Sequence, residues 1–499
     1  MIDSPLHAEP ESAAQPPASP EQGRRRLLQW PLVMGLTAAM GPAWGQAAAP
    51  VGSNSRLALV IGNRVYPAGF DLPPTHKNVR DLAAALEKRG FTVTTAIDQD
   101  PGGLKRLIGE FARTAQASPP DATILYYFTG HGMQVDAENL MLGAGVAPNA
   151  ASGLLLNSSL LLRKDVIDQL PRRPSGMTIA VIDACRTSLL AAQSATDGLN
   201  QVEAPPGCMI VFSTGAGKPA IAPAIETLNT FYTGSLVKLL LSSDDDMSFK
   251  DFFLLVKLDV TQSMLKHPVQ AIRGLAQVPF IADYTQVTVP LSVKRSVIRV
   301  PTAPVPAPTP DGAASRAEQE AKARLEEEQK RLRDEAATLQ FNELQEGQWP
   351  GDIRKLAEAF IEKFASSRQI GSAQVALAGA SEALTALANR EVKLFKSAFL
   401  PPNPPTALVT DLRRAGRGDK DAAARIGRLY VDGKGGVPAD RNRYEGWMQF
   451  ATALGNGIAS YELAVHYRRE GQSVPAAQYE SRARELAYTP PLALDQSRK

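Results

Sequence analysis

The sequence predicts an α/β domain with a mostly parallel sheet covered by helices on both faces, followed by an all-α region. Between residue 56 and about residue 285, compact apolar runs alternate with amphipathic stretches. Beyond a proline-rich segment the chain has helical patterns, including one that repeats. Apolar strands separated by helices are typical of parallel sheets that are buried on both faces.

Six apolar or β-branched runs predict strands, and four amphipathic stretches predict helices. The predicted strands are RLALVIG (56–62), FTVTTAI (91–97), ATILYYFTG (122–130), TIAVID (178–183), CMIVFS (208–213) and VPFIAD (278–283). The predicted helices are KNVRDLAAALEKRG (77–90), GGLKRLIGEFARTAQ (102–116), FYTGSLVKLLL (231–241) and SFKDFFLLVKLDV (248–260). GMQVDAENLML (132–142) has polar residues at its centre and predicts a hairpin.

The composition indicates a mostly globular chain, with 44% hydrophobic and 21% charged residues among 499. The net charge is +3, and no compact stripe of Lys and Arg is present, so nucleic acid is not expected as a partner. The predicted segments are a leader (1–50), the α/β domain (51–300), a proline-rich linker (301–313), a charged helix (314–345), a helical region (346–400) and helical repeats (406–490).

The leader has a basic cluster at Arg24–Arg26, an apolar stretch and small residues near Ala47. This three-part pattern predicts an export signal, and RRRLLQ resembles the twin-arginine motif. We therefore expect a periplasmic protein. An uncleaved leader that anchors the chain to the inner membrane is the alternative.

The charged helix has leucines every seven residues, at Leu325, Leu332 and Leu339. The positions between them are polar, which favours a solvated spacer helix over a coiled coil.

The C-terminal part contains an internal repeat, in which IGRLYVDGKGGVP is followed 37 residues later by LAVHYRREGQSVP. Tyr430 aligns with Tyr467, but Gly433 aligns with Glu470, so the second copy is degenerate. A period of this length predicts stacked helix pairs. The segment resembles the SEL-type repeat, a relative of the tetratricopeptide repeat, which implies a protein-binding surface. A short helical cap without a partner is the alternative.

Cys185 and Cys208 are the two cysteines. Cys185 closes a predicted strand whereas Cys208 opens one, so about six residues at ~3.3 Å each separate them along parallel strands. That distance of roughly 20 Å exceeds the ~7 Å Cα limit of a disulfide. Cys208 is expected to be a core thiol, and Cys185 is either a core thiol or a nucleophile.

His131 differs from the other four histidines because it directly follows an apolar strand and lies between Gly130 and Gly132. These glycines permit tight turning and close backbone approach. Catalytic groups gather beyond the carboxyl ends of parallel strands. We therefore expect His131 to be the base that activates Cys185.

Several other kinds of site are not supported. The sequence lacks G-x-S-x-G, H-E-x-x-H and C-x-x-C, and its histidines are scattered, so neither a zinc site nor a cofactor is predicted. The acidic run at 244–246 leaves calcium dependence possible, although three acids in a polar loop are more often solvated.

YYFTGHGMQVDAENLML and AVIDACRTS, with His131 54 residues before Cys185, resemble the caspase-like cysteine peptidases, specifically their metacaspase-like bacterial branch. The resemblance covers residues 56–285 and implies a six-stranded caspase-type sheet. It implies His131 as general base and acid, Cys185 as nucleophile, and the backbone N–H groups of Gly132 and Cys185 as the oxyanion hole.

The resemblance also implies that Asp183 lies in the pocket for the residue before the cut and selects Arg or Lys. Relatives often have a second pocket acid where this chain has Asn78, which weakens that expectation. The alternative for Asp183 is a strand-end carboxylate that accepts backbone hydrogen bonds.

The predicted function is thus an exported cysteine endopeptidase that cleaves proteins or peptides after basic residues, with a protein-binding repeat region. The alternative is a catalytically weak or inactive caspase-fold scaffold that recruits a partner through its repeats. Arg163, Arg172 and Arg173 are candidate positions for self-cleavage.

Overall fold

The computed structural model describes residues 55–135, 137–185, 199–215, 220–292 and 313–490. The predicted leader and residues 301–312 of the predicted linker lie outside this part of the chain. Among the helices in the described ranges, none has the length and apolar character needed to cross a membrane.

The sheet of the α/β domain has six main strands in the order β2-β1-β3-β6-β7-β8, and a β4–β5 extension pairs with the end of β3. The strands are β1 Arg56–Gly62, β2 Thr92–Ile97, β3 Thr123–Val135, β4 Glu138–Leu142, β5 Ser159–Leu161, β6 Met177–Cys185, β7 Cys208–Phe212 and β8 Phe280–Asp283. All neighbours on the main path are parallel except β7 and β8. The predicted six-stranded, mostly parallel sheet is confirmed.

Helices cover both faces of this sheet. They are α1 Thr75–Lys88, α2 Pro101–Ala117, α3 Ser152–Asn157, α4 Phe231–Ser242, α5 Phe249–Leu265 and α6 Gln270–Gly274, with a 3-10 turn at Pro67–Gly69 and a π-helical turn at Leu162–Ile167. One apolar core lies between the sheet and α1, α4 and α5, and the other lies on the α2 side. Alternation along β3 sends Tyr127 into the first core and Tyr126 into the second.

β3 continues five residues beyond its predicted end and enters the predicted hairpin with β4. Gly132 lies opposite Met141, and Val135 lies opposite Glu138, so the two halves of the segment pair antiparallel. The hairpin prediction is therefore confirmed, and His131 lies within a strand rather than in a loop.

The C-terminal region is all helical. Its helices are α7 Ala313–Glu346, α8 Pro350–Lys363, α9 Ile370–Leu387, α10 Lys396–Phe399, α11 Thr406–Ala415, α12 Lys420–Asp432, α13 Arg441–Ala453, α14 Gly457–Arg469 and α15 Ser473–Glu485. The leucines at positions 325, 332 and 339 of α7 are all more than half exposed. The helix packs through Ala337 and Leu344, near its end.

The repeated sequence forms two helix pairs, α12–α13 and α14–α15. Tyr430 and Tyr467 occupy equivalent buried positions. Gly433 ends α12 in the left-handed region with φ 65°, whereas α14 ends at Glu470 and the left-handed residue is the following Gly471, φ 72°. The degenerate copy has thus moved its helix-ending glycine by one residue. The SEL-type assignment remains a prediction.

The helical region covers β8, the edge strand of the sheet. Arg414 of α11 forms a buried ion pair with Asp283, and Arg425 of α12 donates to the Asp283 carbonyl at 3.1 Å. Lys420 donates to the Ile281 carbonyl at 2.7 Å. An uncovered edge strand would present unpaired N–H and C=O groups to other chains. Here charged side chains of the same chain occupy these groups.

We predict that Arg414→Ala lowers the free energy of unfolding by about 3 kcal/mol, because the buried carboxylates of Asp283 and Asp419 lose an ion-pair partner that they share and keep Lys250. Urea denaturation measures the change. The control is Arg482→Ala, which removes an exposed pair with Glu485 and should cost no more than about 1 kcal/mol. Equal costs for the two variants would contradict the prediction.

Candidate active site

The backbone places His131 and Cys185 side by side. β3 and β6 are adjacent parallel strands, and their register pairs Thr129 with Asp183 and His131 with Cys185. Neighbouring strands lie about 4.8 Å apart. The structure describes Cys185 by its backbone alone, at the carboxyl end of β6. The two residues that the sequence singled out are therefore brought together at one edge of the sheet.

The ring of His131 is oriented by the loop that follows β1. Its Nε2 lies 2.7 Å from the carbonyl oxygen of Phe70. Because a carbonyl oxygen only accepts, Nε2 carries the proton of the neutral ring and Nδ1 is left as the basic nitrogen. The Tyr66 ring meets the imidazole edge-on at 4.4 Å, and the Tyr66 hydroxyl accepts the His131 backbone N–H at 3.1 Å.

Burial lowers the pKa of His131 below its usual 6.5, and the hydrogen bond to Phe70 opposes this change. His131 is 6% exposed. The ring is therefore neutral near pH 7 and can accept a proton, as a general base must.

The loop that carries Tyr66 and Phe70 is fixed by two carboxylates. Asp98, in the left-handed region with φ 50°, accepts the backbone N–H groups of Arg64 at 2.7 Å and Val65 at 3.1 Å. Asp71 accepts the Tyr66 N–H at 2.8 Å. Sequence reasoning missed this support for His131, because the loop matches no motif.

Gly130 and Gly132 are required by close approach within the sheet. A Cβ at Gly132 would lie 2.6 Å from the Ala184 Cβ, and one at Gly130 would lie 2.8 Å from the Tyr66 hydroxyl. The expected tight turn is absent, because both residues continue β3. The expected close approach is present.

Asp183 is buried among hydroxyl groups. Its Oδ2 accepts hydrogen bonds from Thr230 at 2.5 Å, Thr233 at 2.6 Å and Tyr127 at 3.4 Å. Burial raises the pKa of Asp183, and the bonds from Thr230 and Thr233 oppose the rise. Among the described residues, no Lys or Arg forms an ion pair with it. The predicted backbone donors are replaced by hydroxyl donors at the start of α4.

Asn78 belongs to the same network and is fully buried. Its Nδ2 donates to the hydroxyls of Thr129 at 3.3 Å and Thr230 at 3.2 Å, and its Oδ1 accepts the Thr230 N–H at 3.1 Å. Thr230 therefore links Asn78 to Asp183. The structure brings the two predicted pocket residues together through this bridge.

Cys208 is a buried free thiol, as predicted. It lies opposite Thr178 in the β6–β7 register. Cys185 lies seven residues beyond Thr178 in β6, about 23 Å away at roughly 3.3 Å per residue. The two cysteines cannot form a disulfide in this fold.

The candidate self-cleavage positions differ in access. Arg173 is buried and donates to the Ser118 hydroxyl at 2.9 Å, and Arg163 lies in the π-helical turn with an ion pair to Asp168. Arg172 is exposed. Of the three, Arg172 alone combines exposure with a position outside a helix.

No group of three or more His, Cys, Asp or Glu side chains in the described residues could hold a metal ion. In the acidic run at 244–246, Asp245 pairs with Arg89 at 2.7 Å.

Residues 55–288 match the family model of the caspase domain. No curated protein matches the chain. The match and the sheet order together define these residues as a caspase-like domain, which is followed by an all-helical region. A caspase-like domain is the fold of cysteine peptidases that act on proteins or peptides. The assignment of this domain to the metacaspase-like branch remains a prediction.

We predict that His131 in a Cys185→Ala chain titrates below 6.5, because burial disfavours the imidazolium. In the unfolded chain His131 binds its proton near pH 6.5. The contribution of neutral His131 to the free energy of unfolding is therefore fully present above pH 6.5 and is lost as the pH falls through the lower pKa of the folded protein. NMR titration of the ring protons measures the midpoint. A midpoint above 6.5 would contradict the prediction.

We predict that iodoacetamide leaves Cys208 unmodified in the folded protein, because burial raises its pKa to about 11. Mass spectrometry should find modification at Cys185 alone under native conditions and at both cysteines in denaturant. Native modification of Cys208 at the denatured rate would show that its burial is wrong.

Proposed function

We propose that the caspase-like domain is a cysteine endopeptidase in which Cys185 is the nucleophile and His131 is the general base and acid. The observation that carries the proposal is the β3–β6 register, which sets His131 beside Cys185. The hydrogen bond from Nε2 to Phe70 supports it, because it leaves Nδ1 as the proton acceptor.

The proposed reaction has two halves. The thiol proton of Cys185 passes to His131, and the sulfur attacks the scissile carbonyl carbon. The backbone N–H groups of Gly132 and Cys185 stabilise the oxyanion. His131 then protonates the leaving amine, and a thioester remains. Water, deprotonated by His131, hydrolyses the thioester, which releases the acid and restores the thiol.

We further propose that cleavage follows Arg or Lys. Asp183 lies two residues before the nucleophile and has hydroxyl donors but no cationic partner among the described residues. Buried carboxylates are ordinarily paired with a cation, and a basic substrate side chain would supply one. Asn78 contributes hydrogen bonds but no second charge.

Export to the periplasm and recruitment of a partner by the helical repeats complete the proposal. The first rests on the leader pattern, and the second rests on the helix pairs α12–α13 and α14–α15.

A catalytically weak scaffold is the second candidate. One observation favours it: Asp183 is 4% exposed and already accepts three hydroxyl hydrogen bonds, so its carboxylate is closed to a substrate in this conformation.

We expect the mature protein to hydrolyse fluorogenic peptides ending in Arg at least about 100-fold faster than peptides ending in Asp, because an acid in the pocket attracts a cation and repels a carboxylate. Asp183→Asn should lower kcat/KM for the Arg peptide about 100-fold by removing that charge. The assay is run under reducing conditions, with and without calcium.

The first control is Cys185→Ala, which should abolish hydrolysis. The second is Asp165→Asn, which neutralises a carboxylate that accepts the Leu161 N–H and lies away from the candidate site. Equal background rates for the wild type and Cys185→Ala would reject the peptidase and leave the scaffold. Activity on Arg peptides that Asp183→Asn retains would reject the pocket role alone.

A further inference from the structure

Residues 199–201 connect the candidate active site to the C-terminal helices. We call Leu199, Asn200 and Gln201 the return segment; they are the first residues described after Cys185. All three are buried, with exposures of 1%, 5% and 6%. Two of them are polar, and each has hydrogen-bond partners more than 250 residues further along the chain.

Gln201 uses its whole side-chain amide to bond helix ends of the repeat region. Its Nε2 donates to the carbonyls of Gly455 at 3.1 Å and Leu486 at 2.8 Å, and its Oε1 accepts the Gly457 N–H at 2.9 Å. Gly455 lies in the turn between α13 and α14, Gly457 begins α14, and Leu486 caps the end of α15. One side chain thus satisfies three backbone groups that helix ends leave unpaired.

Asn200 joins the same helices to the hairpin that follows His131. Its side chain exchanges two hydrogen bonds with the backbone of Thr489, at 2.9 and 3.0 Å. Its own backbone exchanges two with the Asn139 side chain of β4, at 2.7 and 3.1 Å. The Thr489 hydroxyl in turn accepts from Gln134, three residues after His131, at 3.3 Å.

Leu199 carries this anchoring to the active site. Its Cδ2 lies 3.9 Å from the position that a Cβ on Gly132 would occupy. The Ala184 Cβ lies 2.6 Å from that same position. Leu199 therefore packs beside the Gly132 backbone, next to the residues that precede Cys185 and follow His131.

We propose that Gln201 and Asn200 are positioning residues, through which the docked C-terminal helices hold Leu199 against Gly132 and keep its backbone N–H in place for the oxyanion. This inference rests on the proposed peptidase function. The docked arrangement is the competent one, because His131 is already held by Phe70 and Tyr66 in the same structure. The repeat region thus acts as an intramolecular activator of the peptidase domain.

The first test is Gln201→Ala in the full chain. We expect kcat on an Arg peptide to fall about 10-fold or more with KM within about 2-fold, since a small displacement of a catalytic group has a large effect on rate. A peptide aldehyde ending in Arg should bind more weakly by a similar factor, because its hemithioacetal oxyanion needs the same N–H. Alkylation of Cys185 by iodoacetamide needs no oxyanion hole and should stay within about 2-fold.

The matched control is Gln169→Ala. It removes an exposed glutamine side chain that donates to the Lys164 carbonyl, away from the C-terminal helices. It should leave kcat unchanged. Thermal unfolding and amide hydrogen exchange at residues 130–135 are measured for both variants. Exchange should be faster in Gln201→Ala alone.

A second pair of variants tests the anchoring from the helical side. A chain ending at Tyr488 loses all the bonds of Thr489, and its kcat should fall as in Gln201→Ala. A chain ending at Pro490 keeps Thr489 and should retain wild-type activity.

The inference is overturned if wild-type activity is present and both Gln201→Ala and the chain ending at Tyr488 retain it, or if either variant is more active. A wild type without hydrolysis that depends on Cys185 overturns the proposed function instead. In that case faster exchange at residues 130–135 in Gln201→Ala still supports the mechanical link, and unchanged exchange contradicts it.

Discussion

The parallel pairing of β3 with β6 is the constraint on which the candidate site depends. It runs from Thr123 opposite Met177 to His131 opposite Cys185. A slip of one residue would turn every side chain of a strand to the opposite face, so Tyr126 and Tyr127 would each leave its core for the other. The two apolar cores that fix this register therefore also fix the pairing of His131 with Cys185.

The helical region covers the β8 edge of the same sheet. At β8, Arg414, Lys420 and Arg425 bond Asp283 and the strand's carbonyl groups, where another strand could otherwise pair. These charges are buried in pairs, so the docked position is geometrically specific. Other helix ends of the same region bond the return segment, so the cover of β8 and the proposed support of the candidate active site both come from the docked helical region.

Local patterns predicted most of the elements within a few residues. α1 begins at Thr75, two residues before its predicted start, and β3 continues to Val135 because its glycines allow close strand approach without ending the strand. The pairing of His131 with Cys185 followed from the rule that catalytic groups gather at the carboxyl ends of parallel strands. Tyr66 and Phe70 could not be predicted, because the loop that brings them to His131 has no periodic pattern.

The sequence by itself determined the six main strands, the helix pairs, the His131 and Cys185 candidates and the exclusion of a disulfide, because each depends on spacing along the chain. Tertiary structure decided which nitrogen of His131 carries the proton and how Thr230 joins Asn78 to Asp183. It also decided that the repeat region faces its own α/β domain. These features depend on contacts between residues 47 to 289 positions apart, and side-chain geometry at such separations is set by packing rather than by any local pattern.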